Sequence, residues 1–227
     1  MALAGVAGCQ RGAAEPPPSA GRAELPGVLS GRLWTESSVE GLRLPAVPGC
    51  RAGDGPGEVR PGPVPGALVR VLDPTPAPPP AVPRVLEERG CRLEPLVSGL
   101  VEGQGVLLRA ADRERHAWTA RRDGAVLFRV VQPAGAPAPA HEVPAGAGVV
   151  ELSCDEHPGA RAFLFVRPNA QFSSTDAQGR FELPPLDPGL HTVEAWHPLL
   201  QPVRRTVEVP AGGTAALELQ LRAPAGR

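Results

Sequence analysis

The chain has 227 residues, room for one large or two small domains, and a net charge of −1 without a basic cluster, which leaves no electrostatic footprint for DNA or RNA. No apolar run approaches the length needed to span a bilayer, so membrane attachment would need a lipid. All 23 basic residues are Arg, with no Lys, Ile or Tyr, and 27 Gly and 30 Pro mark part of the chain as low-complexity; the bias reads as that of a GC-rich bacterial genome, not as a nucleic-acid signal.

In chain order, Val6-Ala7-Gly8-Cys9 comes first and resembles a bacterial lipoprotein cleavage box, small residues ahead of a Cys whose thiol takes lipid. Only eight residues precede Cys9 and none is basic, so either the signal is truncated and the true start lies upstream of Met1, the expectation taken here, or the match is accidental. Residues 11–27, rich in Pro, Ala and Gly, cannot bury enough apolar surface to fold and read as a tether. Together they imply a mature protein held by lipid in the periplasm or outer envelope.

Residues 28–34 and 67–72 read as short strands separated by a Gly/Pro-rich loop that carries Cys50. Residues 74–83 form a proline-rich, extended connection. Residues 85–92 have a Glu-Glu-Arg centre suited to a helix, but Gly90 and the short length favour a strand. Residues 96–108 read as strand, turn, strand, the second strand running on through Ala110 to Trp118, and Val126 to Val131 is another strand. A Pro/Ala loop containing His141, expected to face solvent, leads to Gly148. No segment carries a 3.6-residue apolar period over 12 or more residues, so the class is all-β, with short strands at turn-punctuated spacing.

Residues 148–166 carry the strongest chemical signal. Val150, Leu152 and Cys154 alternate with Glu151 and Ser153, so the thiol leaves the strand on its apolar side. His157 follows on a loop punctuated by Pro158 and Gly159, before a second apolar run over 162–166. An inward thiolate and an imidazole three residues apart are two of the three ligands of a His2Cys copper centre, whereas a buried inert Cys beside a surface His is the plainer reading of the same spacing. With Cys9 taking lipid and Cys154 metal, Cys50 and Cys91 remain. In an oxidising compartment they can pair, closing a loop whose constraint contributes roughly 4 kcal/mol in the chain-entropy model, or they stay separate thiols.

A Gly-turn strand ending in Asp-x3-His, some way before Cys-x2-His-Pro, resembles the cupredoxins, and more narrowly the plastocyanin-like bacterial proteins labelled methylamine-utilisation proteins. Gly90-Cys91-Arg92-Leu93-Glu94-Pro95 matches their Gly-Cys-x-Phe-x-Pro with Leu93 in the aromatic position, and residues 154–160 match Cys-Asn-x-His-Pro-x-Met in part. The resemblance implies a Greek-key β-sandwich over roughly 28–167, with His116, Cys154 and His157 as copper ligands and a redox partner protein. It also exposes departures. Ala160 stands at the axial Met position, and Ala110 and Ala117 replace two Asn, the second of which would hold the ligand loop. Losses around a metal's ligands of this kind cost 10 to 100-fold in affinity or activity, while the weak axial ligand tunes potential more than it holds the ion. Asp112, Arg113, Glu114 and Arg115 read as a solvated charged loop, and Trp118 as core or rim.

Residues 172–197 resemble a second family, the carboxypeptidase-regulatory-like, transthyretin-like β module, through Thr175-Asp176-x2-Gly179-x-Phe181-x-Leu183 and Pro188-Gly189. Asp176 to Gly179 reads as a hairpin turn, Phe181 and Leu183 point to a core, and Val203–Val209 and Thr214–Leu221 complete a module over 168–222. So short a module needs help, and strands 28–34 and 67–72 are candidates to pack with it. His191 and His197 lie six residues apart, about 20 Å along a strand, too far for one ion, and read as structural or surface residues.

Two functional readings follow. One is an exported copper-binding protein that carries electrons or copper, the other a non-catalytic β-sandwich scaffold or adhesion lipoprotein whose copper site is degenerate. An enzyme is not expected, since the chain has no G-x-S-x-G, H-E-x-x-H or phosphate loop, and Gly103-Gln104-Gly105 reads as a turn.

Overall fold

The computed structural model describes residues 25–41, 58–72, 76–138, 140–144 and 146–225. Among the described residues every regular element is a strand, as the all-β expectation requires, and no helix is long and apolar enough to cross a membrane. The strands are β1 (Val28–Thr35), β2 (Gly62–Pro63), β3 (Leu68–Val71), β4 (Arg84–Glu88), β5 (Leu93–Glu94), β6 (Val97–Val101), β7 (Gly105–Ala110), β8 (His116–Arg122) and β9 (Ala125–Gln132). They continue as β10 (Ala140–Glu142), β11 (Gly148–Cys154), β12 (Arg161–Arg167), β13 (Phe172–Ser174), β14 (Arg180–Glu182), β15 (Gly189–His197), β16 (Leu200–Val209) and β17 (Thr214–Leu221).

Four sheets result, ordered β14-β1-β17 with β2 beside β1, β13-β3-β15-β16, β10-β7-β4-β5, and β6-β12-β11-β8-β9. The first two enclose one core of Leu29, Leu33, Val69, Phe181, Val193, Ala195, Leu219 and their neighbours. The other two enclose a second, built on Leu86, Leu108, Trp118, Leu152, Cys154 and Leu164. β1 runs parallel to β17 over its whole length, so the N-terminal strands are completed by the C-terminal ones. β3 pairs with β13, which places the exit to the second sandwich and the return from it side by side.

A third, smaller cluster joins the two sandwiches. Leu68, Val97 and Phe165 are buried there with Leu96, Val149, Phe163, Phe172 and Trp196 against them. Trp196 meets Phe165 edge-on at 4.4 Å between ring centres, a favoured aromatic geometry. This explains why residues 162–166 form an unbroken apolar run. Ala162, Leu164 and Val166 face the second core while Phe163 and Phe165 face the junction, so the strand is covered on both sides. At Gly99 in β6 any side chain would start 2.1 Å from the Phe172 ring, so only a hydrogen lets that ring lie down.

Two hairpins turn on residues with positive φ. Gly90 and Cys91 (58° and 64°) link β4 to β5, and Asp123 and Gly124 (49° and 82°) link β8 to β9, the backbone that two-residue hairpins favour because its twist matches that of the strands. Two expectations change. The strand ending at Ala110 does not run on to Trp118, because β7 stops and β8 begins afresh at His116 after a turn. His141 is not a free loop residue; it sits in β10, paired with β7, and stacks on Phe128 at 5.1 Å. In keeping with the structural or surface roles read for both, His197 is buried at the end of β15 and His191 Nε2 donates to the Asp187 carbonyl at 2.7 Å.

Candidate metal centre

β8 and β11 are antiparallel neighbours in a register that sets Cys154 opposite Trp118. The ladder continues one step further, where the Asp155 N–H donates to the Ala117 carbonyl at 2.8 Å. The end of β11 is thereby fixed beside the start of β8, and Cys154 comes next to His116. The loop after Cys154 folds back: the Cys154 N–H donates to the Ala160 carbonyl at 3.0 Å and the Ala160 N–H to the His157 carbonyl at 2.8 Å. That closure brings His157 over the thiol.

His116, Cys154 and His157, the three residues singled out in the sequence, thus converge, and all are buried, at 0%, 3% and 5% exposure. Cys154 Sγ lies 3.8 Å from His116 Nδ1 and 3.6 Å from His157 Nδ1, and the two nitrogens are 3.1 Å apart. A point equidistant from these donors lies about 2.0 Å from each, the bond length that imidazole makes to a small divalent ion and about 0.3 Å short of a thiolate's. The donor set fits copper: one soft thiolate and two imidazoles in a trigonal array. Ala160, fully buried, supplies no fourth donor, and Cys154 is a free thiol.

Around the donors each ring is pinned. His116 stacks on Trp118 with centroids 5.0 Å apart and planes 8° from parallel, while Trp118 Nε1 donates to Gln132 Oε1 at 3.2 Å. The outward nitrogen of His116, Nε2, sits 2.9 Å from Asp112 Oδ1. The ligand loop is tied down by the Thr119 hydroxyl, which donates to Asp155 Oδ2 at 3.0 Å, and by an ion pair from Arg115 to Glu156. Position 117, an Ala, cannot fasten that loop through its side chain, and Thr119 and Asp155 do so from two residues along.

Charge follows the same geometry. Burial alone would lower the His116 pKa, but hydrogen bonding to Cys154 and Asp112 and the charges on both carry it up to about 9. His157 is pushed below its ordinary value by burial and then by the positive charge of His116, which keeps it a neutral lone-pair donor. Burial opposes ionisation of Asp112, yet its hydrogen bonds to His116 and to the Glu114 N–H hold it below the usual carboxylate range. Behind it lies Glu88, 0% exposed and pushed up to about 7 by burial and then by Asp112.

Glu88 and Asp112 are the site residues that sequence reasoning missed. Asp-x3-His was visible, but the charged run 112–115 reads as solvated surface, and Glu88, although it shares a strand face with Leu86, is a charged residue at a strand end. Residues 112–115 are all exposed, as read, and Asp112 and Arg115 also reach back to the site. Cys91 is disulfide-bonded. Cys50, its expected partner, and Cys9, the expected lipid site, lie outside the described residues.

No protein family description matches this chain, and no curated protein does. Solved structures do. Amicyanin from Paracoccus versutus (Thiobacillus versutus) is 16% identical over 44% of this chain and 97% of its own, with a TM-score of 0.33. A purple cupredoxin from Nitrosopumilus maritimus is 18% identical over 37% of this chain and 99% of its own, at 0.32. A copper-containing nitrite reductase from Thermus scotoductus SA-01 is 19% identical over 42% of this chain and 27% of its own, at 0.31. Likeness at this level adds nothing to the site, whose reading stands on the distances above.

Proposed function

We propose that the protein is an exported copper-binding carrier that passes electrons, or copper itself, to a partner protein. One observation carries this: three buried donors of the His2Cys type surround a point about 2.0 Å from each. Cys154 would give the strong thiolate bond, and His116 and His157 the two imidazole bonds. Copper held there would supply one-electron chemistry between its two oxidation states. The chain's own part is to keep the donors close before the ion arrives, through the β8–β11 ladder and the closed 154–160 loop, and to exclude water by burial. A site so enclosed suits a carrier better than a catalyst, because no bulky substrate reaches the thiol. The Val6-Ala7-Gly8-Cys9 box and the tether after it support lipid anchoring in the cell envelope.

The test is a titration of purified protein with Cu(II). One equivalent per chain with intense visible thiolate-to-copper absorption, lost in Cys154→Ser while the β-sheet signal is kept, is the expected result. A colourless wild-type protein that leaves Cu(II) free in solution overturns the reading, and favours the scaffold whose site has lost copper through Ala110, Ala117 and Ala160.

A further inference from the structure

We propose that Asp112, backed by the buried Glu88, is the positioning residue for His116: it fixes the ring so that Nδ1 faces Cys154 and His157, and its charge favours the more positive oxidation state of a bound ion. The inference rests on the copper reading for its second half only.

Two contacts are needed to fix an imidazole completely, one for its plane and one for rotation within that plane. Trp118, 8° from parallel with the His116 ring, fixes the plane. The Nε2–H to Asp112 Oδ1 contact at 2.9 Å fixes the rotation, since turning the ring over would put a carbon against the carboxylate. A carboxylate on the outer nitrogen also makes the inner one a stronger donor.

Asp112 is itself held. Its Oδ1 accepts the Glu114 N–H at 3.0 Å, bending the chain around the carboxylate. One residue earlier, the Ala111 N–H donates to the Glu88 carbonyl at 2.9 Å, tying the turn to β4. The Glu88 side chain then fills the space behind: Oε1 accepts the Cys91 N–H at 2.6 Å, Oε2 has no hydrogen-bond partner, and donor atoms of Glu88, Asp112 and His116 lie within 4.8 Å of one another. Glu88 shares its strand face with the buried Leu86, which points it inward. A chain that needed only a solvated surface here would not spend a fully buried Glu on it; a support for Asp112 accounts for its place.

The decisive variants are Asp112→Asn, which keeps an oxygen acceptor and removes the charge, and Asp112→Ala, which removes both. In metal-free protein, slow solvent exchange of the His116 Nε2–H, read by 15N NMR, should persist in D112N and be lost in D112A. This arm is independent of copper. If D112A leaves that exchange unchanged, the positioning role is wrong even where copper binds. In copper-loaded protein, D112N should weaken Cu(II) binding about 10-fold more than Cu(I) binding, within the range for such outer contacts. That raises the one-electron potential by about 59 mV. Equal losses for both oxidation states, or none, overturn the charge role. Glu88→Gln keeps an oxygen for the Cys91 N–H and the bulk behind Asp112, and should hold the NMR signature. A second bound ion in wild-type protein that E88Q loses would instead make the two carboxyls ligands, and overturn the proposal. Wild-type protein that binds no copper yet shows the D112A exchange effect would sink the proposed function and leave the positioning intact.

Discussion

Replacing His197 by Gln tests how a buried imidazole sets the acid limit of the fold. His197 ends β15 just past a register shift between Ala195 and His197; it is 6% exposed and its Nδ1 accepts the Leu199 N–H at 3.3 Å. Burial lowers its pKa from 6.5 to about 4, with no opposing charge. Between pH 6.5 and pH 4 the unfolded chain therefore binds a proton that the folded chain refuses. Stability rises with pH wherever the unfolded state holds more protons, so this contribution is fully present above pH 6.5 and is lost as pH falls toward 4. The 2.5-unit gap corresponds to about 3 kcal/mol, or a fall in Tm of roughly 6–12 °C for a chain of this size. Urea denaturation of metal-free wild-type protein and H197Q at half-unit steps from pH 4 to 8 isolates the effect, because Glu194, Asp176 and the metal-site residues titrate alike in both. The difference curve should be flat above pH 6.5 and climb in favour of H197Q below it. Parallel curves over the whole range refute the reasoning.

Glu194→Gln leaves two guanidinium groups facing a neutral amide, since Glu194, 3% exposed, takes hydrogen bonds from Arg70 Nε at 2.9 Å and Arg204 Nε at 2.7 Å. Urea midpoints at pH 7 should show a loss of about 3 kcal/mol, and an unchanged midpoint counts against a buried ion pair. Gly99→Val should expel Phe172 from the junction cluster, costing about 1–3 kcal/mol as over-packing does and shifting Trp fluorescence to the red; no spectral change means that the cluster has room. Thr119→Val removes the hydroxyl that ties Asp155 to β8. It should weaken copper binding by about 10 to 100-fold while the metal-free protein melts within about 1 kcal/mol of wild type. Equal copper affinity would show that the backbone ladder alone holds the loop.

What the sequence made legible is what period and punctuation encode. The alternation Val150, Leu152, Cys154 placed the thiol inside, and 3% exposure agrees. The Asp123-Gly124 hairpin turn, with φ of 49° and 82°, was not among the turns read from the sequence. Glu88 and Glu194 were illegible for different reasons. In a strand, alternation says which face a residue takes, but not whether that face meets water. Glu194 stands on the face opposite Val193 and Ala195, where solvent is the ordinary neighbour. Arg70 from β3 and Arg204 from β16 cover it instead, and the pairings that bring them join residues 124 and 10 positions away. Glu88 instead shares the core face with Leu86, and its charge at the strand end disguised that.

The pairing of β3 with β13 bears on how such a site is carried. An inserted sandwich whose two connections lie side by side adds little closure cost to its host, because loop entropy grows only slowly with length. It would nevertheless swing on those connections if nothing else held it. The junction of Phe163, Phe165, Phe172 and Trp196, with the Arg70 guanidinium 5.3 Å above the Phe165 ring, supplies that hold from both sides. Register then decides where the donors point. Gly148 pairs with Val166 near the return to β13, whereas Cys154 is six residues further along β11, about 20 Å at strand rise. The three donors therefore gather at the end of the inserted sandwich remote from its connections. On the carrier reading proposed above, that end, rimmed by residues 112–115 and Glu156, is the one a partner protein would meet.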